Sequence, residues 1–327
     1  MTWTPSYSNV EMDWRLKNQL QRMISRLPGG RTLHGWMQMG SGSLRLTDFF
    51  LTDRLQHARR HLDAWHTFRT APVPEVWELG TGWYPVVPLA LRLCGVERVV
   101  SLDVYPHLHP VLIRRLATTL ISWTRTEQVQ AILPAWRTDA IPWLDTLRQH
   151  PHPVAWLSAE GVCVRQGRME KVAPGTIPYL ISNNTLEHIP ASDLPALIQA
   201  CTRTLAPGGL MSHYTDHADH YSYTDPRLSP FHFLRYTSAE WEHIESPFQS
   251  QNRYRAHQLR SLMEAAGITI LSDDRESGES YALDSIPLAE PFVSFAAADN
   301  LVLYSHLVGE RQGSGPVGQI ADKIFPA

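Results

Sequence analysis

The chain has 327 residues, and its 29 Lys and Arg residues against 32 Asp and Glu give a formal net charge of −3 at pH 7. The basic residues are scattered, which argues against a nucleic-acid track or docking on an acidic membrane surface. Three cysteines without metal spacing argue against a disulfide framework, and no apolar run reaches the ~18 residues of a membrane span. With no N-terminal signal pattern, we expect a cytoplasmic protein.

The first 70 residues precede the first predicted strand. Helical patterns cover residues 12–27 and 47–68, and glycine-rich breaks at 29–30 and 40–42 separate them. We interpret residues 1–70 as a helical lid over a site. The aromatic side chains of this segment either line a pocket or attach the lid. They are Trp3, Tyr7, Trp14 and Trp36.

A glycine turn follows the first predicted strand. The run Val76 to Leu79 enters Gly80-Thr81-Gly82, where missing Cβ atoms let backbone N–H groups approach a ligand at a helix start. A second strand, 98–103, ends at Asp103, which is placed to accept hydrogen bonds from both hydroxyls of a ribose. This order of elements predicts an α/β sheet that binds an adenosine.

Pro85 argues against a dinucleotide in this site. It occupies the place of the third glycine of a dinucleotide fingerprint, and its ring, beside Trp83 and Tyr84, crowds the position of a pyrophosphate. An uncharged or cationic tail on the adenosine is therefore favoured. S-adenosylmethionine (SAM) has such a tail.

Further elements follow in order downstream. Residues 177–184 form a predicted strand with polar residues at its end, and 185–190 form a turn. A helical pattern over 194–205 stops at Pro207-Gly208-Gly209, after which a fifth strand begins at Leu210.

Together the Glu78-to-Gly82 turn, Asp103, the Leu186-to-Ile189 turn and the break at 205–209 resemble the class I SAM-dependent methyltransferase superfamily. The resemblance implies a Rossmann-like, seven-stranded, mostly parallel sheet, closed by antiparallel strands at 268–271 and 301–307. It divides the chain into a lid (1–70), a SAM-binding core (71–212), a cap or substrate insertion after strand 5 (213–255), the last part of the core (256–310) and a tail (311–327).

If SAM binds, Gly80 and Gly82 receive its methionine portion, Asp103 its ribose and Asn183 its amino group or the substrate. Aromatic faces of Trp83, Tyr84 and Tyr179 are candidates for contact with the sulfonium. Val104 and the 156–158 region are candidates to flank adenine. The expected cofactor-binding set is Glu78, Gly80, Thr81, Gly82, Trp83, Tyr84, Asp103, Val104 and Asn183.

The densest group of ionisable residues, 213–221, follows the fifth strand. Strand ends on this side face the ligand crevice of an open α/β sheet. The group is interpreted as a divalent-metal site, as acid–base machinery or as hydrogen bonds that hold the cap, and we assign no metal ligand. His188 stays ambiguous between organising the turn and chemistry. Candidate catalytic residues are His217, Asp216, His220, Tyr179 and Asn184.

Three functions fit these observations. The leading one is methyl transfer from SAM to a small metabolite or natural-product intermediate, with no nucleic-acid or membrane partner. The second is an azetidine-2-carboxylate synthase-like cyclase that uses SAM alone, since Asn183 and Asn184 lie where its amino acid end is expected. The third is a non-catalytic SAM-binding regulator. The oligomeric state is left open.

Overall fold

A seven-stranded sheet organises the molecule in the computed structural model, which describes residues 13–27, 45–105, 107–245, 248 and 250–313. The strands run β1 (Glu75–Leu79), β2 (Arg98–Asp103), β3 (Val162–Gln166), β4 (Ile177–Asn183), β5 (Leu205–Asp216), β6 (Ile268–Ser277) and β7 (Val302–Arg311). Their spatial order is β3-β2-β1-β4-β5-β7-β6. β7 is antiparallel to both β5 and β6, and the other pairs are parallel. The predicted Rossmann-like sheet with a closing antiparallel pair is confirmed.

Helices cover both faces of this sheet and extend beyond it. In chain order they are α1 (Trp14–Ser25), α2 (Asp48–Phe68), α3 (Val86–Leu93), α4 (Pro110–Arg125), α5 (Gln128–Ile132), α6 (Ala140–Gln149), α7 (Pro153–Ala159), α8 (Leu194–Thr204), α9 (Ser238–Ile244), α10 (Ala256–Ala265), α11 (Ser280–Asp284) and α12 (Ala297–Asn300). Short 3₁₀ turns cover Met169–Lys171, Leu186–His188, His232–Arg235 and Phe292–Ser294. None of the helices in the described ranges is both long and apolar enough to cross a membrane.

The central strands are the most apolar because helices cover them on both sides. From Tyr179 to Asn183 every residue of β4 is buried, which is typical of an interior parallel strand. β5 differs from its predicted start at Leu210. It begins at Leu205, pairs Leu205 with Ile177, and then shifts register before Tyr179 pairs with Leu210. The Pro207-Gly208-Gly209 segment therefore forms an irregularity within the strand.

The third strand lies later than the adenine-flanking prediction assumed. Residues 156–158 belong to helix α7, where Leu157 is buried in the core and the Trp156 ring lies 4.8 Å from that of Trp143. β3 follows and ends at Gln166. This placement argues against the 156–158 region as an adenine contact, because its side chains pack in the helical layer rather than following a strand end.

A separate apolar cluster, here called the cap cluster, lies apart from the two clusters that pack on the sheet. It joins α1, the segment after β5 and the segment between β6 and β7. Its buried members are Trp14, Ala218, Tyr221, Phe231, Phe233, Leu234, Trp241, Leu283, Phe292 and Leu303. Only the 213–255 part was predicted from the sequence, since the 280–300 part has no distinct composition. The domain boundaries themselves stay a prediction.

One buried cation joins the segments of the cap. Arg255, with no exposed surface, donates to the backbone carbonyls of His217 (2.7 Å), Asn300 (2.8 Å) and Val302. Burial lowers the pKa of this guanidinium to about 9. The residue therefore stabilises three chain segments through carbonyl dipoles.

The two described N-terminal helices pack differently. α1 lies on the cap, where Trp14 contacts Tyr221 with ring centroids 5.3 Å apart. α2 packs on the sheet through buried Leu51 and Leu55. The predicted lid residues Trp3, Tyr7 and Trp36, and the tail beyond residue 313, lie outside the described residues.

Candidate functional site

The glycine turn after β1 has a backbone that only glycine fits. Gly80 has a φ of +85°, and a Cβ there would lie 2.4 Å from Oγ1 of Thr185. Gly82 has a φ of +63°, but no atom lies within 4 Å of the place where its Cβ would be. The first glycine thus permits close packing against the turn after β4, and the second leaves open space for a ligand.

Asp103 fixes the shape of this turn. Its Oδ2 accepts hydrogen bonds from the backbone N–H groups of Thr81 (3.0 Å) and Gly82 (3.1 Å), and its Oδ1 accepts from Tyr105 N–H (2.9 Å). A carboxylate can accept about four such bonds, so Asp103 retains acceptor capacity for a ribose. Val104 is exposed directly after it.

Glu78 lies buried beneath the turn as the acceptor of two hydrogen bonds. Ser101 Oγ donates to Oε2 at 2.6 Å, and Asn183 Nδ2 donates to Oε1 at 3.3 Å. Thr81 Oγ1 lies 2.5 Å from Ser101 Oγ and extends the chain of bonds to the turn. Burial raises the pKa of Glu78 to about 7. Glu78 therefore supports the turn from below.

The same chain of hydrogen bonds continues across the sheet. Asn183 Oδ1 lies 2.8 Å from Nε2 of His61 on α2, and Nδ1 of His61 lies 2.8 Å from Ser212 Oγ. Ser212 Oγ in turn lies 2.7 Å from His306 Nε2 on β7. With His61 neutral, every hydrogen bond in the series is donated toward Glu78. The carboxyl group of Glu78 is the final acceptor. We call this series, from Thr81 to His306, the polar relay.

The amide oxygen and the amide NH₂ group of Asn183 both form hydrogen bonds within the polar relay. This placement argues against the predicted contact of Asn183 with the amino group of SAM. Asn184 is the better candidate at this strand end. It has a φ of +46°, and its buried Oδ1 has no hydrogen-bond partner among the described residues.

The three aromatic candidates for a sulfonium contact lie in different surroundings. Trp83 is partly buried, with its ring 4.5 Å from that of His107. Tyr84 is packed in the core, where its hydroxyl accepts from Arg115 at 3.4 Å. Tyr179 is 1% exposed and donates to the backbone carbonyl of His61 at 2.7 Å. Such burial argues against a ligand contact or catalytic role for Tyr179.

Asp216, at the end of β5, is the centre of a second polar group. Its Oδ2 accepts from the Tyr223 hydroxyl and lies 3.3 Å from His220 Nε2, while Oδ1 accepts from Ala218 N–H at 2.9 Å. Burial alone would raise the pKa of Asp216, but its hydrogen bonds to His220 and Tyr223 lower it below its usual value. The carboxylate therefore stays ionised at neutral pH.

His217 takes no part in that group. Its Nδ1 lies 2.8 Å from the Tyr254 carbonyl oxygen and its Nε2 lies 2.8 Å from Ser305 Oγ. Both ring nitrogens thus hold the cap to β7. The residues after β5 are not helical, so His217 and His220 do not share a helix face. This arrangement argues against a proton-transfer role for His217.

Helix α2 supplies charged side chains that the sequence analysis did not consider. Arg54 Nη1 lies 3.3 Å from His57 Nδ1, and the ring of His57 lies 4.3 Å from that of Tyr214. The guanidinium also counteracts the burial that raises the pKa of Glu78 and Glu187. The helical pattern predicted α2 itself, but no local signal showed which of its turns faces the strand ends.

Glu187 and Tyr223 are the other residues that sequence reasoning missed. Glu187, in the turn after β4, is 2% exposed, and neither carboxylate oxygen has a hydrogen-bond partner among the described residues. Tyr223 lies 3.4 Å, oxygen to oxygen, from Tyr304 of β7. Glu187 was visible as part of a motif, whereas the pairing of Tyr223 with Asp216 has no sequence signature.

Comparison with protein-family models identifies one match, described as a methyltransferase domain, over residues 50–273. That range includes the glycine turn, Asp103 and the Asp216 group. A search of curated protein sequences finds no match.

Solved structures of low sequence identity resemble the chain. One is a chain of the complex between the Haloferax volcanii Trm112 methyltransferase activator and a methyltransferase, with 16% identity, a TM-score of 0.44, and coverage of 86% of this chain and 96% of that one. Geranyl diphosphate C-methyltransferase from Streptomyces coelicolor A3(2) has 14% identity, a TM-score of 0.42 and 78% coverage of each chain. An S-adenosylmethionine-dependent methyltransferase from Mesorhizobium loti has 12% identity, a TM-score of 0.42, and coverage of 79% and 100%.

Proposed function

The chain belongs to the methyltransferase-domain family, and from this membership we propose that it transfers the methyl group of SAM to a small-molecule acceptor by direct displacement. The observation that carries the proposal is the position of the Asp216 group. It lies at the end of β5, and β4 alone separates β5 from β1 and the glycine turn. Neighbouring strands lie about 4.8 Å apart, so the two sites are separated by roughly 10 Å.

The donor side is assigned to the glycine turn. The open space at Gly82 accommodates the methionine portion, and Asp103 accepts from the ribose hydroxyls. Trp83 and Tyr84 follow just before α3, and Trp83 is only partly buried. The unpartnered Oδ1 of Asn184 accepts from the ammonium group of SAM.

The acceptor side needs little chemical activation. A sulfonium is already an effective electrophile, so the enzyme's tasks are to align the acceptor with one C–S bond, exclude water and accept a proton. Ionised Asp216 orients the His220 ring, and we assign the acceptor's proton to this pair. An oxygen or nitrogen acceptor fits this arrangement best, because both carry a proton that leaves on methylation.

A product assay tests the proposal. Purified protein is incubated with SAM and a small-metabolite extract, and the nucleoside products are followed by mass spectrometry. We expect S-adenosylhomocysteine only when the extract is present, and a fall of at least 100-fold in its rate in the His220→Gln variant. His243→Gln is the matched control, because His243 is exposed on α9. Extract-independent consumption of SAM would contradict the proposal.

Asn184 favours one second candidate, a cyclase that uses SAM alone. An acceptor oxygen at the amino acid end of SAM could hold the amine near the γ-carbon for intramolecular displacement. That reaction releases methylthioadenosine with an equal amount of azetidine-2-carboxylate, so the incubation without extract distinguishes the two reactions. Intact SAM under both conditions would instead favour a non-catalytic regulator.

A further inference from the structure

We infer that Glu187, His188 and His220 form a binding site for a divalent transition-metal ion at the crevice between β4 and β5. One carboxylate oxygen of Glu187 and one ring nitrogen from each histidine lie within 4.8 Å of one another. The three residues come from two turns that the parallel β4–β5 pairing brings together. No metal ligand was assigned from the sequence, although a divalent-metal site was one interpretation of residues 213–221.

Glu187 is the strongest reason for a cation here. A buried carboxyl group normally has hydrogen-bond partners, because an unpaired one loses its solvation without compensation. Glu187 has a buried side chain and no partner for either oxygen in the described part of the chain. A bound cation would supply the missing partner.

His188 is oriented as metal-binding histidines commonly are. Its Nδ1 lies 2.9 Å from the carbonyl oxygen of Ser250, so the proton resides on Nδ1 and the lone pair of Nε2 is available. A backbone carbonyl in this position fixes the tautomer and the ring orientation of a ligand. The ring centroid of His188 lies 5.0 Å from that of His220.

His220 has a carboxylate behind it. Its Nε2 lies 3.3 Å from Asp216 Oδ2, and its ring stacks on that of Tyr223 with centroids 5.3 Å apart. Carboxylate–histidine pairs of this kind raise the basicity of metal-bound imidazoles. Asp216 brings an ionised carboxylate to the site, and a bound cation would favour the ionised form of Glu187 against the burial that raises its pKa.

The donor set indicates which class of ion binds. Two imidazoles and one carboxylate suit Mn²⁺, Fe²⁺, Co²⁺ or Zn²⁺ better than Mg²⁺, which prefers oxygen ligands. Ligand atoms around a tetrahedral ion with bonds of about 2.1 Å lie roughly 3.4 Å apart. Since the donor atoms lie within 4.8 Å of one another, they need to approach by at most about 1.4 Å, and His188 is exposed. Three protein ligands leave a coordination position for a substrate oxygen.

The metal site is inferred independently of the proposed function, but a part for the ion in methyl transfer rests on that function. With a cation bound, His220 would act on the acceptor through the metal instead of directly as a base. An acceptor hydroxyl on such an ion loses its proton more easily, since the cation stabilises the resulting oxyanion.

Cobalt binding to the full chain tests the site without SAM or acceptor. Protein freed of metal with EDTA and exchanged into chelator-free buffer is titrated with Co²⁺, and the visible absorption of the protein-bound ion is recorded. We expect one equivalent per chain, displaced by Zn²⁺ but not by an equal concentration of Mg²⁺. Glu187→Gln and His220→Gln should each weaken binding at least tenfold, and Asp216→Asn should weaken it 10- to 100-fold.

Two exposed residues of α9 provide matched controls. His243→Gln and Glu242→Gln remove the same chemical groups outside the site and should leave Co²⁺ affinity unchanged. Circular dichroism of each variant shows that it is folded. Absence of stoichiometric Co²⁺ binding to the wild type, or equal affinity in folded Glu187→Gln protein, would overturn the inference.

The product assay then separates this inference from the proposed function. Methyl transfer that persists undiminished after metal removal and requires His220 would retain the function and overturn the ion's part in it. Stoichiometric Co²⁺ binding without methyl transfer to any acceptor in the extract would support the site and contradict the function. Transfer that is lost on EDTA treatment and restored by Mn²⁺ or Co²⁺ would support both.

Discussion

The two sides of the sheet's ligand-facing edge are stabilised by different kinds of contact. Around β1 and β2 the glycine turn is fixed by nearby backbone groups, with Asp103 accepting from Thr81 and Gly82. Around β4, β5 and β7 the structure depends on side chains far apart in the sequence, such as His61 and Ser212, 151 residues apart. A site fixed by local backbone geometry leaves a sequence motif, whereas a site fixed by distant side chains does not.

Acidification should cause the largest loss of stability, and this loss should arise at the buried histidines around β4, β5 and β7. Burial lowers the pKa of His213 and His306 to about 4 and of His217 to about 3, and places that of His61 well below its usual value. Unfolded histidines titrate near 6.5, so the stabilisation is complete above that pH and is lost as the pH falls toward the folded values. Each residue contributes up to about 1.4 kcal/mol per pH unit.

Urea unfolding followed by tryptophan fluorescence between pH 8 and 5 measures this loss. Four such residues remove about 5 kcal/mol per pH unit, comparable to the whole stability of a domain, so we expect unfolding near pH 5. His66→Gln, which alters an exposed position on α2, should leave the slope unchanged. A urea midpoint that is constant from pH 7 to 5 would contradict this prediction.

Gly80→Ala should destabilise the glycine turn beside β1 and β2, and Gly82→Ala provides the matched comparison. At Gly80 the added methyl group would meet Thr185 at 2.4 Å as well as an unfavourable φ, so we expect a loss on the order of 3 kcal/mol. At Gly82 only the backbone conformation is unfavourable, at a cost of about 1–2 kcal/mol. Urea unfolding of both variants checks the order, and equal losses would show that the contact with Thr185 relaxes freely.

Asp103→Ala should weaken SAM binding by altering the glycine turn. It removes the acceptor of three backbone N–H groups and the expected ribose contact. SAM affinity should therefore fall 10- to 100-fold, as each charge-assisted hydrogen bond contributes about 1.5–3 kcal/mol. Isothermal titration calorimetry measures the affinity. Asp145→Ala, on the surface of α6, is the control, and an unchanged affinity in Asp103→Ala would remove the assignment of SAM to this turn.

Glu78→Gln should cause the smallest change in stability. It tests the polar relay, which connects the glycine turn to β4, β5 and β7. The pKa of Glu78 is raised from 4.5 to about 7, so its contribution to stability is complete below pH 4.5 and is lost as the pH rises through 7. Between pH 6 and 8 the wild type should lose about 1.4 kcal/mol from this group. Urea unfolding at both values should show this loss in the wild type relative to the variant, and parallel pH profiles would contradict it.

The sequence predicted the fold better than the site, because local contacts leave a sequence motif and contacts between distant side chains do not. Strand patterns, the two glycines and Asp103 depend on residues close in the sequence, and they carry the resemblance that predicted a seven-stranded, mostly parallel sheet. β3 was missed because its five residues follow a helix with similar apolar content. The hydrogen bonds of Asn183 to Glu78 and His61 were not foreseen, because these partners come from different elements and no local pattern distinguishes a relay member from a ligand contact.

Arg255 has a consequence for how the chain folds. Its carbonyl acceptors lie 38, 45 and 47 residues away, on segments that flank β5 and β7. The contact therefore forms only after α10 and the last two strands have been placed, since each long loop must close first. We expect the sheet around β1, β4 and β5 to acquire hydrogen-exchange protection early in refolding, and the cap to be protected last and to open first. Acceptor access would then follow the local opening of the cap, independently of the global stability of the sheet.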